Sequence, residues 1–105
     1  MNFTEILTTL PPVDHLSGLD IVDAGGSVVH HIPAAPGKMG SLRVYNAMAE
    51  LAGGAFRADA VRQGLHWFAE HVADARARPG AHPNIDLLLN NMDGQADWRL
   101  VPVAR

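Results

Sequence analysis

The sequence predicts an α+β domain: a small, mainly antiparallel sheet of about three strands covered by helices on one face. Three observations lead there. Two β-rich runs, Leu19–Asp23 and Ser27–Ile32, are separated only by Ala24-Gly25-Gly26, a hairpin connection in which glycine supplies positive φ. Between that hairpin and a last β-rich run, Trp98–Val103, the apolar residues recur at helical spacing. The resulting order, α-β-β-α-α-α-β, lacks the regular βαβ alternation of a parallel sheet. A chain of 105 residues suits a single domain, residues 1–105, and at that size it buries roughly two-thirds of its unfolded surface.

Each element has a local reason. Asn2-Phe3-Thr4-Glu5 caps a short helix, the Asn2 side chain accepting from the orphan amides and Glu5 sitting where the helix dipole favours negative charge. Phe3, Ile6, Leu7 and Leu10 form its buried side, and Pro11-Pro12 ends it. In the hairpin, alternation puts Val28, His30 and Ile32 on one face and Val29 and His31 on the other. One of the adjacent histidines therefore points toward the core and the other away, and the plain account is one satisfied half-buried ring and one solvated ring. Pro33–Gly40 is a loop of helix breakers. Ser41–Ala52 then turns helical with Val44, Met48, Leu51 and Ala52 inward, and Gly53-Gly54 stops it.

The main helix is expected over Arg57–Arg78. At about 100° per residue, Val61, Leu65, Phe68, Val72 and Ala75 share one apolar stripe. Gln63, His66, Glu70 and Asp74 fall on the far side, with Trp67, His71 and Arg78 along one flank. Gly64 sits at the edge of the stripe, where glycine costs about 1 kcal/mol against alanine, so close approach of another element is the expected compensation. Pro79-Gly80 ends this helix and His82-Pro83 starts the next, with Ile85, Leu88, Leu89 and Met92 inward until Asp93-Gly94. In the final strand Trp98, Leu100 and Pro102 alternate with Arg99, Val101 and Val103, and Pro102, lacking an amide, makes the segment an edge strand or a strand end. A sheet this small leaves one side exposed; a homodimer that hides it, or that covers Trp67, is the expected remedy.

Composition excludes several classes of function. Eight Lys and Arg against eleven Asp and Glu give a formal charge of −3, without the concentrated basic face that nucleic acid requires. No apolar run approaches the ~20 residues of a membrane span, and Met1–Leu10 has neither a basic leader nor a cleavage pattern. The chain has no cysteine, hence no disulfides and no thiol catalysis, which fits a reducing cytoplasm.

Three constellations carry chemistry. His66, Glu70 and Asp74 stand at i, i+4 and i+8 with His71 one step round, so Glu70 is placed to orient the His66 ring, or both to bind a divalent metal. The competing account is a solvated ion-pair face, against which Trp67 stands. HWFAEH matches neither H-x-x-E-H nor H-E-x-x-H, which removes a metalloprotease. Pro36-Gly37-Lys38-Met39-Gly40-Ser41 enters a helix with free amides, an ammonium and a hydroxyl, suited to a carboxylate or phosphate; Ser41 as an ordinary N-cap is the simpler alternative, and the P-loop order is absent. Arg78-Pro79-Gly80-Ala81-His82-Pro83-Asn84 is a stiffened loop presenting His82 and Asn84, or a plain corner in which one of them caps the next helix.

On the segments PGKxGSL, GLxWFAEH and PGxHPNID, together with the opening helix followed by VDHLSGLDIVDAGGSVV, the chain resembles a small bacterial family, domain of unknown function 2322. The resemblance spans most of the chain and implies a compact bacterial, cytoplasmic protein; it carries no activity. The residues themselves suggest an enzyme without an organic cofactor, moving protons on a polar, anionic small molecule in an isomerisation, elimination or cyclisation. His66 or His71 is expected to transfer the proton, with Glu70 orienting it, His82 as partner acid, and Lys38, Ser41, Trp67 and Asn84 binding substrate. Two alternatives stay open. One is a divalent-metal-binding protein using His30 or His31 with His66, Glu70, His71 or His82; the other is a non-catalytic dimeric module built around Trp67.

Overall fold

In the computed structural model, which describes Met1–Arg105, three strands form one antiparallel sheet in the order β2-β1-β3. The central strand β1 (Leu16–Val22) pairs with β2 (Val28–Pro33) across the hairpin and with β3 (Arg99–Ala104) at the far end of the chain. Its side chains explain the central place. Leu19 and Ile21 are fully buried on the inner face, opposite Ile32 of β2 and Leu100 of β3. β1 begins three residues before the expected Leu19, because Leu16 and Gly18 already pair with β3. Pro102 lies on an edge strand, where its missing amide costs no ladder bond inside the sheet.

Five helices complete the α+β fold. The first, α1 (Phe3–Leu7), carries the full capping box expected of Asn2 and Glu5. The second, α2 (Met39–Ala52), is the axis of the core, packed between the sheet and the third helix. It starts two residues before the expected Ser41, which makes Ser41 part of its first turn and not its cap. Its buried arc centres on Tyr45 and Ala52, so Leu51, expected inward, is 52 % exposed.

The largest departure concerns the helix expected over Arg57–Arg78. It is two helices, α3 (Ala58–Phe68) and α4 (His71–Ala77), separated at Ala69, whose φ of 51° and ψ of −124° no continuous helix allows. The apolar stripe survives the break: Val61, Leu65, Phe68 and Ala75 are buried, and Val72 packs on the core. Its polar side does not, because the turn at Ala69 and Glu70 sends residues after 68 in a new direction. Gly64 has the close approach its cost implied, since a Cβ there would lie 2.4 Å from Met48 Sδ of α2. The last helix, α5 (Pro83–Leu89), is shorter than expected, which leaves Met92 in the following turn and 41 % exposed.

The core is a single cluster of 22 buried residues drawn from the sheet and from the helices covering its inner face. The opposite face of the sheet carries His31, Val29 and Val101, all exposed. No helix of the chain is long and apolar enough to cross a membrane.

Candidate functional site

Breaking the long helix opens a recess of about 430 Å³ between α1, the start of α2, the α3–α4 turn and the α4–α5 loop. Each wall has an identifiable cause. Phe3 stands at the start of α1 because Glu70 Oε1 accepts its backbone N–H at 2.8 Å. Its ring stacks on Phe68 at 5.8 Å between centroids and meets His71 edge-on at 4.9 Å. Gly40 makes room for it, since a Cβ there would come within 3.0 Å of the Phe3 ring. Backbone amides, first that of Glu70 itself and then that of Phe3, hold the Glu70 carboxyl below its ordinary value.

The α4–α5 loop supplies the most organised group. His82 Nε2 lies 2.5 Å from Asp74 Oδ2, while Arg78 grips the same carboxylate through Nε at 2.9 Å and a second guanidinium nitrogen at 2.5 Å. Arg78 first, and His82 second, keep the Asp74 carboxyl well below the usual carboxylate range, so it is ionised and can only accept. The hydrogen between the two groups therefore belongs to His82 Nε2, and Nδ1, which has no protein partner, is the ring's free position. His71 stands beside it with ring centroids 5.8 Å apart and makes no hydrogen bond of its own.

At the start of α2 the N-cap residue is Lys38, which makes no side-chain cap. The amides of Met39, Gly40 and Ser41 have no partner in the protein, and all four residues line the recess. On the remaining wall Asn84 is held twice. Its side-chain oxygen accepts from His30 Nε2 at 2.7 Å and its carbonyl accepts from the Tyr45 hydroxyl at 2.5 Å. Burial pushes the Tyr45 phenol far above its ordinary value, so it stays a donor. Ammonium, imidazoles, hydroxyl and amide line this recess, and no carboxylate does.

Of the residues singled out from sequence, Lys38, Ser41, His71, His82 and Asn84 converge here. His66, Glu70 and Trp67 do not. His66 is exposed on α3, beyond the break that dissolves its expected stack with Glu70 and Asp74. Glu70 secures α1 instead of orienting an imidazole. The Trp67 indole is half-buried against the core, so the protein itself provides part of the cover expected for it. Neither His82 nor Asn84 caps α5 with its side chain; Pro83 opens that helix, and Asp86 turns back to accept from the Gly80 amide at 2.9 Å.

The ligand set imagined for a metal is not assembled. His30 and His31 occupy opposite faces of β2, the first bonded to Asn84 and the second to Asp20 at 2.6 Å, and no three His, Asp or Glu side chains are grouped to hold an ion. Sequence reasoning missed Phe3 as a wall and Asp74 as the anchor of His82. The i,i+4 spacing of Asp74 and Arg78 was a readable sign of the second.

The chain belongs to the family described as uncharacterised proteins conserved in bacteria, DUF2322, whose family model matches residues 3–102. No curated protein and no solved structure matches it.

Proposed function

We propose that this DUF2322 member is a small enzyme that moves protons on an anionic metabolite held in the recess beside α1. The single observation that carries the reading is the Arg78–Asp74–His82 chain, which ends in His82 at the recess wall. An ionised carboxylate fixes the tautomer and orientation of an imidazole, which is how a histidine is prepared as a general base. Lys38, the Ser41 hydroxyl and the unpaired amides at the start of α2 suit the anionic part of the substrate, and the lack of a carboxylate on the wall agrees with that charge. The base in this reading is His82, in place of the His66 or His71 expected from sequence, and Glu70 acts only through Phe3. The cysteine-free composition supports work in a reducing cytoplasm.

The test is a screen of carboxylated and phosphorylated metabolites by ligand-observed NMR, followed by turnover of whatever binds. Binding should weaken in Lys38→Ala, and His82→Ala should slow turnover by about 10²–10⁴-fold with the fold intact. Undiminished turnover in His82→Ala, or no anion bound by the wild type, would end this reading.

A second reading, a non-catalytic module that pairs with its own copy, draws support from the sheet face and not from Trp67. Val29 and Val101 stand 43 % and 40 % exposed there. Sedimentation velocity decides it: a monomer at high micromolar concentration removes it.

A further inference from the structure

The recess holds two imidazoles in unlike surroundings. His82 is tied back by Asp74 through Nε2 and keeps one free nitrogen. His71, 5.8 Å away between ring centroids and tilted by 45°, is held only by ring contacts, chiefly the edge-on contact with Phe3, and both of its nitrogens are unbonded. Neighbouring titratable groups placed in different environments are the usual basis for dividing acid and base roles. A ring held to a carboxylate suits the base, and an untethered ring with two free nitrogens can carry a proton inward as imidazolium.

Substrate charge follows from the residues that line the recess with these rings. Lys38 brings three N–H donors, Ser41 one O–H, and the Asn84 amide, whose oxygen is already taken by His30, two more N–H. A carboxylate offers two oxygens and a single charge, whereas a phosphate monoester offers three strong acceptor oxygens and about −1.5 to −2 charges. Such a donor set, with no carboxylate opposing it, matches the phosphoryl group better.

Building on the acid–base reading above, we propose that the substrate is a phosphate monoester and that the reaction is transfer of its phosphoryl group to water. His82 Nδ1 takes a proton from the attacking water as the new P–O bond forms. The P–O bond to the alcohol breaks with its electron pair remaining on the leaving oxygen, which takes the proton of the His71 imidazolium. The products are the free alcohol and hydrogen phosphate, and solvent returns the proton gained by His82 to His71. His71 is thereby a catalytic acid, and Lys38 neutralises charge on the phosphoryl oxygens.

The experiment uses the full chain, inorganic phosphate and a series of aryl and alkyl phosphates. Inorganic phosphate should shift the His71 and His82 imidazole NMR signals, and phosphorus NMR should show ester hydrolysis with a bell-shaped pH profile. His71→Asn should slow release of alkyl alcohols by about 100-fold or more, since an alkoxide needs the proton. It should slow release of p-nitrophenolate, which leaves unprotonated, by less than about 10-fold. A merely structural role for His71 would slow both equally, and that result overturns the assignment. Phosphate binding without hydrolysis of any ester overturns the transfer step. If no phosphate ester reacts and phosphate leaves both rings unmoved, while a carboxylated metabolite is turned over in a His82-dependent way, the phosphate assignment falls and the broader proton-transfer reading stands. If nothing anionic binds, both fall.

Discussion

His31 and His82 are each bonded to an aspartate, at 2.6 Å and 2.5 Å, yet they stand in different surroundings. The His31–Asp20 pair joins directly opposed residues of β2 and β1 on the open face of the sheet, where His31 is 52 % exposed. Its ring lies over Gly18, and it takes no part in lining the recess beside α1. In the His82–Asp74 pair, His82 stands at the recess wall and Asp74 behind it, its carboxylate gripped from the other side by Arg78, and His71, Lys38 and Asn84 line the same recess. Near-identical bond lengths therefore separate a cross-strand surface contact from a candidate catalytic group. What distinguishes them is the partner that anchors the aspartate and the space into which the ring can act.

The sharpest way to break this comparison is kinetic. Once a substrate is found, His82→Ala should lose about 10²–10⁴-fold in turnover, while His31→Ala should match the wild type. Equal losses in both would erase the distinction. Next in size is a packing effect on the open face. A Cβ at Gly18 would sit 2.7 Å from the Ile32 carbonyl oxygen and 2.9 Å from His31 Cε1. Because a paired backbone cannot retreat as a side chain can, Gly18→Ala should cost about 1–3 kcal/mol in urea denaturation and leave turnover per folded molecule unchanged.

Ala69→Gly probes the other region. Relieving positive φ at a non-glycine residue should raise stability by about 1 kcal/mol, after allowing for the greater freedom of glycine in the unfolded chain. Loss of stability instead would mean that the break is imposed by something other than this backbone conformation. Smaller still, Asp20→Asn should change stability by about 0–1 kcal/mol, the usual range for an exposed ion pair, by the same denaturation measurement.

The finest contrast is in pH. The folded state holds the proton off Asp74 more strongly than the unfolded chain does. The stability this contributes is fully present above the unfolded carboxylate value of about 3.9, and it is lost as pH falls from there through the depressed folded value. Asp74→Asn should therefore flatten the acid limb of the stability curve below about pH 4, as read by circular dichroism.

Much of this arrangement was legible because it rests on local chemistry. The capping box at Asn2 and Glu5, the glycine-bearing hairpin, the edge placement of Pro102 and the close approach at Gly64 are each written in a few adjacent residues. Lys38, Ser41, His82 and Asn84 were readable for the same reason, since breakers on either side put them in stiff connections. The break at Ala69 was not readable. Neither glycine nor proline marks it, and the apolar period runs through it undisturbed from Val61 to Ala75. A distant contact accompanies it, the Glu70 carboxylate on the amide of Phe3, sixty-seven residues away in the chain. That one turn separates His66 from Glu70, brings His71 to the recess and leaves Asp74 to meet His82, so a break with no local mark sets which acid meets which base.

The double hold on Asn84 has a mechanical consequence. With its carbonyl pinned to the central helix and its side chain to the sheet, the first turn of α5 behaves as the doorpost of the recess. The opposite jamb is α1, a five-residue helix whose leading amide hangs on one water-facing carboxylate. Phe3 closes that side of the mouth with its ring against Phe68, so the N-terminal helix, for all its modest size, sets the width of the entrance.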